Sequence, residues 1–169
     1  MRTLVLLRHL KSTRDVQGVA DHDRPLAPRG HRAGELVRGH LEAAGASPQL
    51  VLCSSAARAV ETWESVRDGL PGGLRLEVEE RLYLASSESL LSRLNAVPDE
   101  ITSVLVIAHN PGIANLALGL AGTGAGDALE RMGEKYPTGG LATLTFEGPW
   151  STLGWDDAEL AELVVPREL

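Results

Sequence analysis

Three short aliphatic runs, TLVLLR from Thr3, QLVLCS from Gln49 and TSVLVIAH from Thr102, place the strongest limit on what this chain can fold into. Each is too short for an ordinary helix and lacks the polar-apolar alternation of a strand with one wet face. Runs of this kind fit strands covered on both sides, which belong in parallel sheets flanked by helices.

The intervening segments read as the crossovers such a sheet needs. In PRGHRAGELVRGHLEAAG, Ala33, Leu36, Val37, Leu41 and Ala44 follow helical spacing, with Pro28 suited to the first turn and Gly45 to the stop. SSAARAVETWESVRDGL predicts a second helix, its serines placed to cap and Ala57, Val60, Trp63 or Glu64, and Val66 or Arg67 on its apolar stripe. LRLEVEE alternates like a more exposed strand, and ESLLSRLNAV reads as a short helix stopped by Pro98. NPGIANLALGLAG predicts a helix capped by Asn110 with Pro111 in its first turn. GLATLTFE and AELVV complete the sheet, and GTGAG near residue 124 reads as a loop.

Strands alternating with helices predict an α/β fold, a three-layer α/β/α sandwich with a mostly parallel central sheet. At 169 residues, 43% of them hydrophobic, one domain over 1–169 can bury a core. The formal charge of −7 argues against nucleic-acid or anionic-membrane partners. The run after Met1 is too short for a signal sequence, and no stretch reaches the roughly 18 apolar residues of a membrane span, so the expected location is cytoplasmic.

Ligands of open α/β sheets bind beyond the carboxyl ends of the strands. Arg8 and His9 close the first run there, and His109 closes TSVLVIAH in the same way. Arg58, a turn into the second helix, points back over that edge if the second strand neighbours the first. Two guanidiniums and two imidazoles suit a tetrahedral dianion, because Arg gives forked bonds to phosphate and keeps its proton. A neutral His9 can attack phosphorus in line while the other groups stabilise the equatorial oxygens.

Four ordered motifs carry a family likeness. LLRHLKS, DRPLAPRG, SSAARAVET and IAHNPG, with KYPTGGLATL, resemble the motifs of the histidine phosphatase (phosphoglycerate mutase-like) superfamily, and within it the SixA-like phosphohistidine phosphatases. The resemblance implies a phosphoglycerate mutase-like fold and a phospho-His9 intermediate, with Arg8, Arg58 and His109 completing the catalytic and phosphate-binding quartet. It implies no metal and no cofactor. The partner would be a phosphohistidine-bearing protein or a small phosphorylated substrate. Leu10 and Ala108 stand where the family usually has Gly or Ala, and Gly.

Larger relatives carry a carboxylate acid in a pattern like L-x-E, where this chain reads Leu82, Tyr83, Leu84. Leu84 donates no proton, which favours phosphoramidate substrates; a phosphomonoesterase would draw an acid from Glu79, Glu80 or Glu88. A phosphate-binding protein without turnover is the reading from another class. Lys11, Ser12 and Asn110 are further candidate phosphate contacts.

Other features read as structural. Cys53 and Arg58 have four residues between them, one short of the cysteine-phosphatase loop, so Cys53 is expected in the core. His31 and His40 fall on opposite sides of their helix and cannot share a metal. His22 is expected in solvent, Thr62 in packing, Trp150 and Trp155 in the core or as a lid, and Asp156, Asp157 and Glu159 on a solvated face.

Overall fold

The computed structural model describes residues 1–14 and 17–169. The three aliphatic runs form β1 (Arg2–Arg8), β2 (Leu50–Ser54) and β4 (Ser103–Ala108), and LRLEVEE supplies β3 (Arg75–Glu79). The later strands are β5 (Ala121–Gly124), β6 (Leu141–Phe146) and β7 (Ala158–Val164). Together they make one seven-stranded sheet in the order β3-β2-β4-β1-β6-β7-β5. The β3-β2-β4-β1 half is parallel, β6 runs antiparallel to both β1 and β7, and β5 pairs parallel with β7.

Side chains alternate across a strand, so β1 serves two cores at once. Leu4 and Leu6 join one apolar cluster, Val5 and Leu7 the other. On the Val5 side lie α1 (Pro28–Ala43) and α2 (Ala57–Val66), contributing Val37, Leu41, Ala59, Trp63 and Val66. On the Leu4 side lie α3 (Ser87–Asn95), α4 (Gly112–Leu120) and α5 (Ala128–Glu134). This is the α/β/α sandwich read from the sequence, with both faces of the central strands covered.

Several local readings are corrected. On α1, Leu36 and Ala44 are exposed, and the buried line runs through Gly30, Gly34, Val37 and Leu41. The cause is close approach: a Cβ at Gly34 would stand 2.8 Å from the Ser65 Cβ and 2.9 Å from a Leu10 methyl. On α2 the buried face is Arg58, Ala59, Thr62, Trp63 and Val66. The residue before it is Ala56, and the serine contribution is Ser54 Oγ accepting from the Ala56 N–H at 3.3 Å. Pro111, not Asn110, precedes α4, and the Asn110 amide donates to the Tyr136 carbonyl at 2.9 Å instead. The GTGAG loop lies partly in β5, whose close packing a Cβ at Gly122 would block, 2.2 Å from the Asp156 carbonyl oxygen. Helix α5 was not anticipated.

Strand order also differs from the condition set for Arg58, because β4 lies between β1 and β2. The insertion helps: it sets His109 at the centre of the edge, with the β1 and β2 termini on either side.

Helix α4 starts where its backbone touches the segment before α3. A Cβ on Gly112 would fall 1.9 Å from the Ala85 carbonyl oxygen. Gly112→Ala is therefore expected to cost about 1–3 kcal/mol, the usual range for overpacking, read as a lower urea midpoint. Because Gly112 follows His109 by one turn, the same change is expected to lower turnover as well.

Candidate active site

Parallel register builds the first half of the site. Arg8 pairs with Ala108, so the next residue of each strand, His9 and His109, emerges beside the other. Their ring centroids are 5.1 Å apart. The backbone around them is clamped: the His9 N–H donates to the Ala108 carbonyl at 3.1 Å, and the Gly139 N–H reaches the Arg8 carbonyl at 3.0 Å.

The Leu10 carbonyl lies 2.7 Å from His9 Nδ1. A carbonyl only accepts, so Nδ1 holds the proton and Nε2 keeps the lone pair. The Leu10 N–H donates to Thr62 Oγ1 at 2.9 Å, and that hydroxyl donates to the Arg58 carbonyl at 2.6 Å. Thr62 is thus more than a packing residue: it ties the segment after His9 to the helix that carries Arg58. The Leu10 side chain is fully buried between Gly34 and Gly139 and points away from the pocket. Two glycines make the room for it.

Arg58 is 3% exposed, and its guanidinium donates to the Asp21 carbonyl at 2.8 Å and to Asp21 Oδ2 at 3.2 Å. Arg8 donates to the Tyr136 carbonyl at 3.0 Å. Both guanidiniums keep a buried Nε without a partner, as does Nδ1 of His109, whose Nε2 lies 2.6 Å from Ser54 Oγ. Arg8, Arg58 and His109 all line one space, and two guanidiniums there suit a bound oxyanion.

Burial, reinforced by Arg58 and Arg8, pushes the His9 imidazole down to about 4. Burial, His9 and Arg58 push His109 down to about 3. Both rings are therefore neutral near pH 7, which leaves His9 Nε2 nucleophilic. The sign for stability follows: between about pH 4 and 6.5 the unfolded chain binds protons that the folded rings refuse. The urea midpoint is expected to fall as pH drops through that window, and His9→Gln is expected to flatten part of the slope.

These groups line a cavity of about 390 Å³, which also takes in Lys11, Ser12 and Asn110. Sequence reasoning missed Asp21, Arg14, Arg24 and Thr138 on the same wall, where Leu84, at the position read for an acid, also lies. Asp21 follows the DRPL signal backwards by two residues, a polar loop position that carries no periodicity. The Tyr83 hydroxyl donates to it, and that bond together with Arg58 holds its carboxyl at about 2. His22, next to Asp21, stays partly exposed and outside the cavity lining; its Nε2 lies 2.9 Å from Ser55 Oγ and its ring meets Tyr83 edge-on at 4.8 Å. Tyr83 in turn meets His109 edge-on at 5.5 Å.

The glutamates considered as acids are occupied elsewhere. Glu79 pairs with Arg93 and Arg81, Glu88 accepts from Ser87 beside a separate hollow, and Glu80 is exposed. None of them lines the cavity. Cys53 is buried in β2, with its thiol pushed up to about 12 by that burial. His31 is exposed, His40 reaches Glu162, Trp150 is fully buried and Trp155 lies half-exposed over Gly119. Among the described residues, no three His, Cys, Asp or Glu side chains converge on a possible metal position, and no helix is long and apolar enough to cross a membrane.

Fold and pocket together define an α/β sandwich with a cationic, two-histidine cavity at the carboxyl ends of its parallel strands. Comparison with known proteins gives the class its name. The histidine phosphatase superfamily (branch 1) matches residues 4–83. An uncharacterized protein of Mycobacterium leprae is 39% identical over 165 residues, 95% of this chain and all of its own length. A structure from Nakamurella multipartitia, provisionally named phosphohistidine phosphatase SixA, superposes with TM-score 0.85 at 29% identity, covering 98% of this chain and 96% of its own. A protein of the same provisional name from Agrobacterium tumefaciens gives 0.81 at 27% identity, covering 98% of each chain. The chain belongs to the histidine phosphatase superfamily and is SixA-like within it. Phosphatase chemistry is the activity of that family.

Proposed function

We propose that the protein hydrolyses phosphohistidine on another protein through a phospho-His9 intermediate. The observation that carries this reading is the state of the one carboxylate on the cavity wall among the described residues: Asp21 is bound by Tyr83, Arg58 and Arg24 and held ionised. An ionised carboxylate donates no proton, so the site suits leaving groups that need none.

His9 Nε2 attacks phosphorus, and the bond from phosphorus to the substrate imidazole breaks with its electron pair moving to nitrogen. A ring protonated on its other nitrogen departs neutral. Arg8, Arg58 and His109 stabilise the equatorial oxygens during transfer, and Lys11, Ser12 and Asn110 are further contacts for phosphate. The proton on His9 Nδ1, retained by the Leu10 carbonyl, makes phospho-His9 a good leaving group in turn. Water then attacks phosphorus, releasing phosphate and restoring neutral His9. Each of these steps is supplied by protein side chains, without a metal, and the expected setting is cytoplasmic.

The test is mass spectrometry of the enzyme quenched in alkali during turnover of a phosphohistidine protein. Phosphate on His9 is the expected result. Turnover with no phosphate on His9 would remove the intermediate, and binding of phosphate with neither label nor turnover would favour the non-catalytic reading.

A further inference from the structure

The cavity mouth carries more positive charge than a single phosphoryl group requires. Lys11, Arg14 and Arg24 line it on a chain whose formal charge is −7. Arg24 is neutralised by Asp21, but among the described residues neither Lys11 nor Arg29 has an acidic partner. Arg29 comes to this rim through the backbone. The Ala27 N–H donates to the Lys11 carbonyl at 2.9 Å, and α1 lies so close that a Cβ on Gly30 would stand 2.2 Å from the same oxygen.

Local physics does not favour that placement. Arg29 stands in the first turn of a helix that has no acidic residue there, against the positive end of the helix dipole. Partial burial and then the like charges of Arg14, Arg29, Arg8 and Arg24 hold the Lys11 ammonium below its ordinary range. Mutually repelling cations at the mouth of an anion site gain a purpose when an anionic surface settles on them.

Leu84 decides between a small polyanion and a protein. It lines the same mouth, 57% exposed, with φ 50° in the left-handed region that favours glycine. A strained backbone presenting an apolar side chain to solvent offers nothing to a bisphosphate, but it gives a protein surface a contact.

We propose that the rim of Lys11, Arg14 and Arg29, together with Leu84, is a docking surface for the acidic face of a phosphohistidine-bearing protein. This deepens the reading above and rests on it. Docking of this sort speeds encounter and selects partners, and it weakens with salt.

Two phosphohistidine peptides, prepared with phosphoramidate, test it: one with glutamates flanking the histidine, one with glutamines. The wild type is expected to show higher kcat/KM for the acidic peptide at low salt. The preference should vanish near 0.5 M salt, where the Debye length is about 4 Å. Arg29→Gln is expected to lower kcat/KM for the acidic peptide about 2–5-fold, with Arg29→Glu lowering it further. Both variants should leave the glutamine peptide and an aryl phosphate unchanged. Equal rates for the two peptides, or an Arg29 effect of the same size on both, would remove the docking surface and leave the phosphohistidine reading standing. Turnover of aryl phosphate with no hydrolysis of either peptide would overturn both. Inhibition by methylene bisphosphonate with the same Arg29 dependence as the acidic peptide would assign the rim to small polyanions and overturn the proposal.

Discussion

His9→Gln is expected to abolish turnover and to leave the protein without acid-labile phosphate, a loss on the order of 10⁴-fold or more. Glutamine is close to histidine in length and retains an amide that can donate to the Leu10 carbonyl. What disappears is the Nε2 lone pair, which that bond holds free of its proton. The linkage from Leu10 through Thr62 to Arg58 involves backbone and hydroxyl groups, so the phosphate clamp survives the change. Inorganic phosphate or tungstate should still bind the variant, which separates loss of chemistry from loss of the pocket. Cys53→Ala is the control: its thiol is buried and held protonated at neutral pH, so label and turnover should both persist.

The residues legible in the sequence are those fixed by strand geometry. Arg8 with His9, and His109, each follow an aliphatic run, and a parallel pair in the Arg8–Ala108 register can only bring their successors together. The likeness to known motifs selected the same positions, Arg58 among them, which the strand-end geometry reached on the condition that the second strand neighbours the first. What stayed hidden was set by contacts between segments distant in sequence. Asp21 lies in a polar stretch without periodicity, and it becomes part of the wall because Arg58 binds it. Tyr83 was noticed only as a neighbour of the position read for an acid, yet its hydroxyl holds Asp21 in place. Leu36 was read as core because hydrophobicity outweighs glycine in any periodicity count. In the structure Gly30 and Gly34 face inward, since α1 approaches too closely for side chains there. Chain order likewise does not reveal sheet order, and β4 between β1 and β2 follows from pairing alone.

Leaving-group dependence is the second large effect. A simple alkyl phosphate should be turned over slower than a phosphohistidine peptide or an aryl phosphate by at least the about 10²–10⁴-fold that a positioned general acid contributes. An alkoxide is about as basic as hydroxide, whose conjugate acid has a pKa of about 15.7, so it must be protonated as it departs. Imidazole, with a conjugate acid near about 6.5, needs no such help. Here Asp21 is held near 2 by Tyr83 and Arg58, and Glu79 is committed to Arg93 and Arg81. The gap should appear in the phosphorylation step and not in hydrolysis of phospho-His9, which is common to every substrate; burst kinetics with the aryl phosphate and their absence with the alkyl ester would locate it. Leu84→Glu sets a carboxyl on the cavity wall at the one position where the family pattern carries it, and should recover part of the alkyl-ester rate. Alkyl and aryl esters hydrolysed at similar rates by the wild type would mean that a proton donor reaches the leaving oxygen after all, and the preference for phosphorus–nitrogen bonds would lose its physical basis.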